Sequence, residues 1–232
     1  MSKMSFVGAL SLALASMPIC LAHAQSGSRI DPTRNAVRHQ EVGRPAAAQR
    51  VMQAYAACVV RDRPAWAEAM IALPYQTPEQ RDAVRRAQMG EQDCMGYSGL
   101  ELRFSADILL GAMAEYLIES RYRSAALEGI SQLSDEAISS GGLAPRNTIE
   151  DIAICVVRRN PGGVRALLNA VAGTPAERTA AQGFAADLEP CAAQGQTVTF
   201  GVSSLRSLLA VTLYRVLSAP QGAMAAATLP PR

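Results

Sequence analysis

The sequence predicts an all-α protein made of two tandem, duplicated helical units, each stapled by one disulfide. Three observations lead to this prediction. Part of the chain matches a later part without gaps, apolar residues recur at helical spacing in both copies, and both copies carry two cysteines at the same positions.

Residues 1–24 have the pattern of a secretory signal peptide. Lys3 supplies the positive charge, an apolar run follows, and Ala22-His23-Ala24 matches the small-x-small cleavage pattern before Gln25. We therefore expect a Sec-type leader, a bacterial source and a periplasmic or secreted protein. The apolar run is too short to span a bilayer, so no transmembrane segment is expected after leader removal. Residues 25–45 are polar and are expected to be a flexible N-terminal segment.

The composition disfavours or excludes several function classes. The 232 residues carry a formal net charge of +2 and are 5% aromatic, which gives no basis for a nucleic-acid partner. Lys3 is the only lysine, so a Schiff base on lysine is excluded once the leader is removed. His39 is the only histidine outside the leader, which excludes a multi-histidine metal site. We expect neither a metal nor a cofactor.

The internal match has an offset of 97 residues. Residues 55–94 align with 152–191, and twelve of the 40 aligned positions are identical. We infer a duplication, with unit 1 over 46–123, an inter-repeat linker over 124–147 and unit 2 over 148–218. A short helix is expected around 135–138 within the linker, and 219–232 is expected to be a flexible tail.

Each unit is expected to contain about four helices. In the first helix of unit 1, Val51, Tyr55, Cys58 and Val59 recur at helical spacing. The looser pattern Thr148-Ile149-Glu150 is expected to begin the first helix of unit 2. A second helix is expected to begin at the proline that both copies share, Pro64 or Pro161.

The third helix of each unit has the clearest start signal. Thr77 and Thr174 are each followed by proline, with Gln80 or Glu177 three residues on, which is the pattern of a capping box. The last helix is expected to begin near Ser105 in unit 1 and near Ser203 in unit 2. Its apolar sequence places it at the centre of the core.

Four cysteines remain after leader removal: Cys58, Cys94, Cys155 and Cys191. They form no Cys-x-x-Cys pair, which disfavours zinc and thioredoxin-like chemistry. Disulfides are the default in an oxidising compartment, and four cysteines allow three pairings. The duplication favours pairing within each unit, Cys58 with Cys94 and Cys155 with Cys191.

Three residues are candidates for partner binding. Trp66 is the only tryptophan, and its counterpart in unit 2 is Gly163. Arg81 and Arg178 recur in the first turn of the capped helix, where the helix dipole disfavours a cation. We expect each to have a specific partner, an acidic side chain in its own unit.

Glu115 and Glu119 are the candidate carboxylates for acid–base chemistry, because they lie four residues apart on one helix. The second unit has leucines near these positions, and Arg123 is spaced to pair with Glu119. A solvated helix face is the favoured interpretation.

No set of catalytic residues stands out. The leading hypothesis is a non-catalytic exported protein that binds another protein or a cell-envelope component. The alternatives are a hydrolase that uses the helix carboxylates and a carrier of a small apolar ligand held between helices.

Overall fold

A computed structural model describes residues 45–88, 94, 104–123, 125, 127–192 and 198–219. Within these ranges every regular element is helical, which confirms the all-α prediction. The predicted leader, residues 25–44 and the tail from residue 220 onward lie outside the described residues. The α-helices are α1 Pro45–Asp62, α2 Pro64–Ala72, α3 Pro78–Gln88, α4 Ala106–Arg121, α5 Asp135–Ser140, α6 Thr148–Arg159, α7 Pro161–Asn169, α8 Pro175–Gln182, α9 Ala185–Leu188 and α10 Val202–Ser218.

The centre of the core is the pair α4 and α10, which pack more extensively against each other than any other pair of helices. A Cβ atom on Gly111 would lie 2.4 Å from atoms of Ser207, so the helices touch where α4 has no side chain. Residues 205–214 of α10 are all buried. The apolar sequence of this helix predicted that position.

The other helices surround this pair in a similar way in both halves. α1, α2 and α3 contact α4, while α6, α7 and α8 contact α10. Each last helix is therefore covered by the three long helices that precede it in its own half. The duplication itself stays a prediction from the sequence.

Two predicted helix caps are present. The Thr77 Oγ1 atom accepts a hydrogen bond from the Gln80 N–H at 3.3 Å, and Thr174 Oγ1 accepts one from the Glu177 N–H at 3.4 Å. The return bond differs from the expected capping box. Gln80 and Glu177 accept from the backbone N–H of the residue before the cap, not from that of the threonine itself.

Three other helices begin near the expected residues but are capped differently. The cap of α6 is Asn147, whose side chain accepts from the Glu150 N–H, so the cap lies one residue before Thr148. α10 begins after Gly201, and Ser203 lies inside the helix. Ser105 precedes α4, but its side chain makes no capping hydrogen bond.

The apolar face of α1 is also rotated from the expected one. Val51 is 48% exposed, and Cys58 is only half-buried. The buried face contains Met52, Tyr55, Ala56, Val59 and Val60.

Both predicted disulfides are confirmed. Cys58 pairs with Cys94 and Cys155 pairs with Cys191, with a Cα–Cα distance of 5.7 Å in each. Each bond joins the first helix of its half to a residue 36 positions further along the chain. In the chain-entropy model, closing a loop of this size adds about 3–4 kcal/mol to the free energy of unfolding.

The segment predicted as a linker contributes to the core. It contains a 3-10 helix, Glu128–Gln132, followed by α5, whose N-cap Ser134 accepts from the Ala137 N–H. Ile130, Leu133 and Ile138 are buried. The short helix expected around 135–138 is thus present and packed.

Candidate functional site

Arg206 is a buried cation on α10. Its side chain is 5% exposed, and its Nε and Nη2 atoms each donate to one oxygen of Glu115 at 2.7 Å. Nη1 also donates to Glu177 at 3.3 Å. Burial by itself would lower the pKa of the guanidinium, but the hydrogen bonds and charges of the two carboxylates raise it above its ordinary value.

Arg206 also caps α7. It donates to the carbonyl oxygens of Leu167 and Leu168 in the last turn of that helix and to that of Ala170, the residue after it. All of its donor nitrogens are therefore used, and one side chain joins α10, α4, α7 and α8.

Glu150 is the centre of a second buried ionic network. Its side chain is 2% exposed and lies 2.9 Å from Arg146 and 3.1 Å from Arg215. Burial by itself would raise the pKa of this carboxyl, but hydrogen bonds from Arg146 and from the Tyr75 N–H, with the charge of Arg215, hold it below its ordinary value. Arg146 in turn caps the end of α2 through the carbonyl oxygens of Ala72 and Leu73.

A groove of about 550 Å³ opens beside the first network. Its walls come from α1, α4, α7 and the turn at 170–172, with Arg206 at its base. We call it the main groove. Its wall contains Val171, which is 58% exposed, together with Arg50 and Arg165.

A second groove of about 270 Å³ adjoins it. The two share the lining residues Glu119, Arg165 and Asn169, so they lie side by side on one face. We call the second one the side groove. Both are open to solvent.

The two candidate carboxylates have different partners. Glu119 pairs with Arg123, as their spacing predicts. Glu115 does not lie on a solvated face, which corrects the expectation, because its side chain is only 15% exposed and both oxygens accept bonds from Arg206. Both oxygens of this candidate carboxylate are therefore occupied by hydrogen bonds from Arg206.

Trp66 is half-buried and packs against the core. The guanidinium carbon of Arg63 lies 5.5 Å from the centroid of its ring, within the range of a cation–π contact. The tryptophan lines neither groove.

Among the described residues, neither of the two repeated arginines has the acidic partner that we expected. Arg81 Nη1 donates to the carbonyl oxygen of Gln76 at 3.0 Å, so its partner is backbone. Arg178 is exposed, and nothing in the described part of the chain pairs with it. Neither arginine lines the main or the side groove.

Asp62 lies against the first disulfide. Its Oδ2 atom is 3.5 Å from Cys58 Sγ and 3.4 Å from Cys94 Sγ. These three groups are close enough to surround a cation, but sulfurs in a disulfide are not the thiolates that bind metals. The aligned position in unit 2 is Arg159, whose Nε atom lies 3.9 Å from Asp187.

The sequence analysis missed both buried networks. A usable signal was present for Arg206 and Arg215, which are charged residues within the largely apolar helix α10. A buried charge requires a partner, so the two positions could have been marked. Their partners come from distant parts of the sequence and carried no local signal.

None of the described helices has the length and apolarity that a membrane span requires. When the chain was compared with protein-family models, curated proteins and solved structures, nothing matched.

Proposed function

We propose that this chain is an exported, non-catalytic protein that binds another protein or a cell-envelope component through the main groove. The observation that carries the proposal is the juxtaposition of exposed Val171 with Arg50 and Arg165 on one concave face. Exposed apolar surface beside charged groups is typical of a surface that contacts a partner.

The framework around the groove supports this proposal. Arg206 ties α4, α7 and α10 together under the main groove, and a rigid surface loses less conformational entropy on binding. The bonds from Arg206 also occupy Glu115, the more buried of the two carboxylates that a hydrolase in this groove would use.

Export is supported by the leader pattern of residues 1–24 and by the two disulfides, which persist in oxidising compartments. Intact mass spectrometry of the native protein tests this part. We expect a chain that begins at Gln25 and has no free thiol. An uncleaved chain or reduced cysteines would refute export.

The groove is tested by photo-crosslinking in the cells that make the protein. A photoreactive phenylalanine analogue replaces Val171, and a matched variant carries it at Val51, which is 48% exposed and lines neither groove. We expect a discrete adduct from position 171 that position 51 does not give. No adduct at 171, or the same adduct at both positions, would overturn the proposal.

A further inference from the structure

Arg165 is a fixed cation without a carboxylate partner among the described residues. Its Nη1 and Nη2 atoms donate to the carbonyl oxygens of Tyr122 and Arg123 at 2.8–3.3 Å, and its buried Nε–H has no acceptor. Carbonyl oxygens carry only partial charges, so they hold the guanidinium in place without neutralising it. This positive charge lies on the wall of both grooves.

The charges around Arg165 do not balance it. Glu115 is paired with Arg206 and Glu119 with Arg123. Arg50, on the α1 wall of the main groove, is exposed and contacts no carboxylate within the described ranges. Two cations on the wall of the main groove are thus available to an anionic ligand.

The shape of the two grooves and the apolar surface of Val171 indicate which class of anionic ligand fits. The main and side grooves adjoin on one face and are both open to solvent, which suits an extended segment better than a small molecule enclosed in a pocket. Val171 offers an apolar contact on the same wall.

We propose that the main groove binds an extended acidic segment of a partner protein. Carboxylates of that segment pair with Arg50 and Arg165, and a neighbouring apolar side chain packs against Val171. This inference rests on the proposed function, because it names the chemistry of the partner that the groove binds.

The probe is a library of random displayed heptapeptides, selected on the full chain with its disulfides intact. We expect the bound peptides to be enriched in Asp and Glu next to an apolar residue. Replacing each carboxylate in a selected peptide by the amide should weaken binding at least about tenfold, because charge-assisted hydrogen bonds are lost. No enrichment of acidic peptides, or equal binding of the amide form, would overturn the inference.

Variants of the protein test which arginines bind the carboxylates of the acidic peptide. Arg50→Gln should weaken the acidic peptide about two- to fivefold at low salt and leave the amide peptide unaffected. Arg165 also holds two carbonyl groups, so Arg165→Lys, which keeps the charge, is compared with Arg165→Gln. Of these two variants, only Arg165→Gln should lose most of the preference for the acidic peptide over its amide form.

Arg178→Gln is the matched control, because Arg178 is an exposed arginine outside both grooves. Equal losses in Arg50→Gln and Arg178→Gln would show a general charge effect and refute the site. An adduct at position 171 with a partner segment lacking acidic residues would refute this inference alone. Absence of that adduct would refute the proposed function.

Discussion

Gln76 and Gly173, which the 97-residue offset aligns, both have a left-handed backbone, with φ angles of 59° and 76°. Each donates its N–H to the side chain four residues further on, Gln80 at 2.8 Å and Glu177 at 2.6 Å. Glycine adopts this conformation freely, whereas a residue with a Cβ atom pays about 1–2 kcal/mol. The backbone at Gln76 is therefore strained, whereas the backbone at Gly173 is not.

The strain at Gln76 predicts that two substitutions change the free energy of unfolding in opposite directions. Gly173→Gln should lower the free energy of unfolding by about 1 kcal/mol, because it introduces the strain. Gln76→Gly should raise it by up to about 1 kcal/mol, because relief of strain exceeds the added entropy of the unfolded chain. Urea unfolding with the disulfides intact measures both, and a less stable Gln76→Gly variant would contradict the argument.

Asn160 and Gly163 predict a second pair of effects. The Asn160 Oδ1 atom accepts from the Gly163 N–H at 2.8 Å, and a Cβ atom on Gly163 would lie 2.5 Å from that same side chain. Gly163→Ala should therefore disrupt the cap of α7 and cost about 1 kcal/mol. Thermal unfolding measures the loss.

The neighbouring Gly162 is the control, since nothing lies within 4 Å of a Cβ atom there. Gly162→Ala should stabilise the helix by about 0.5–1 kcal/mol. Shifts of the same sign in the two variants would show that the Asn160 cap does not set the outcome.

Local signals in the sequence accounted for much of the fold. Thr174, the cysteine pairing and the apolar run of α10 each depend on neighbours in the chain or on a repeated spacing. The groove could not be predicted in the same way. Arg123, the partner of Glu119, lies four residues after it. The partner of Glu115 is Arg206, which is 91 residues away in the sequence.

Glu150 predicts how stability depends on pH. Its pKa is lowered in the folded protein, so its ion pairs contribute fully above the ordinary carboxyl pKa of about 4.3. That contribution is lost as the pH falls through the lowered folded pKa. The free energy of unfolding should therefore decrease from about pH 5 downward.

Glu150→Gln separates this effect from other carboxylates. The variant leaves Arg146 and Arg215 without their carboxylate, which should cost about 3–5 kcal/mol at pH 7. The difference from the original protein should shrink as the pH drops below 4. A difference that stays constant between pH 7 and pH 3 would show that Glu150 does not titrate in this range.

The two disulfides should differ in their rate of reduction by a thiol. Asp62 contacts both sulfurs of Cys58–Cys94, so its charge repels an incoming thiolate and destabilises the thiolate that leaves. Cys155–Cys191 has Arg159 at the aligned position. We expect it to be reduced about two- to tenfold faster in dithiothreitol, as followed by timed alkylation and peptide mass spectrometry.

Asp62→Asn assigns the cause of that difference. It should accelerate reduction of Cys58–Cys94 and leave Cys155–Cys191 unchanged, and added salt should reduce the contrast. An unchanged rate in Asp62→Asn would mean that access, rather than charge, controls the reaction.

The bonds from Arg206 also constrain the order in which the chain folds. A growing polypeptide that ends before residue 206 already contains α7 and Glu115. It still lacks the Arg206 side chain, which caps α7 and pairs with Glu115. The contact spans 91 residues, so its loop closes late during vectorial synthesis. Of the described helices, the last to emerge from the ribosome is thus the one that completes the core.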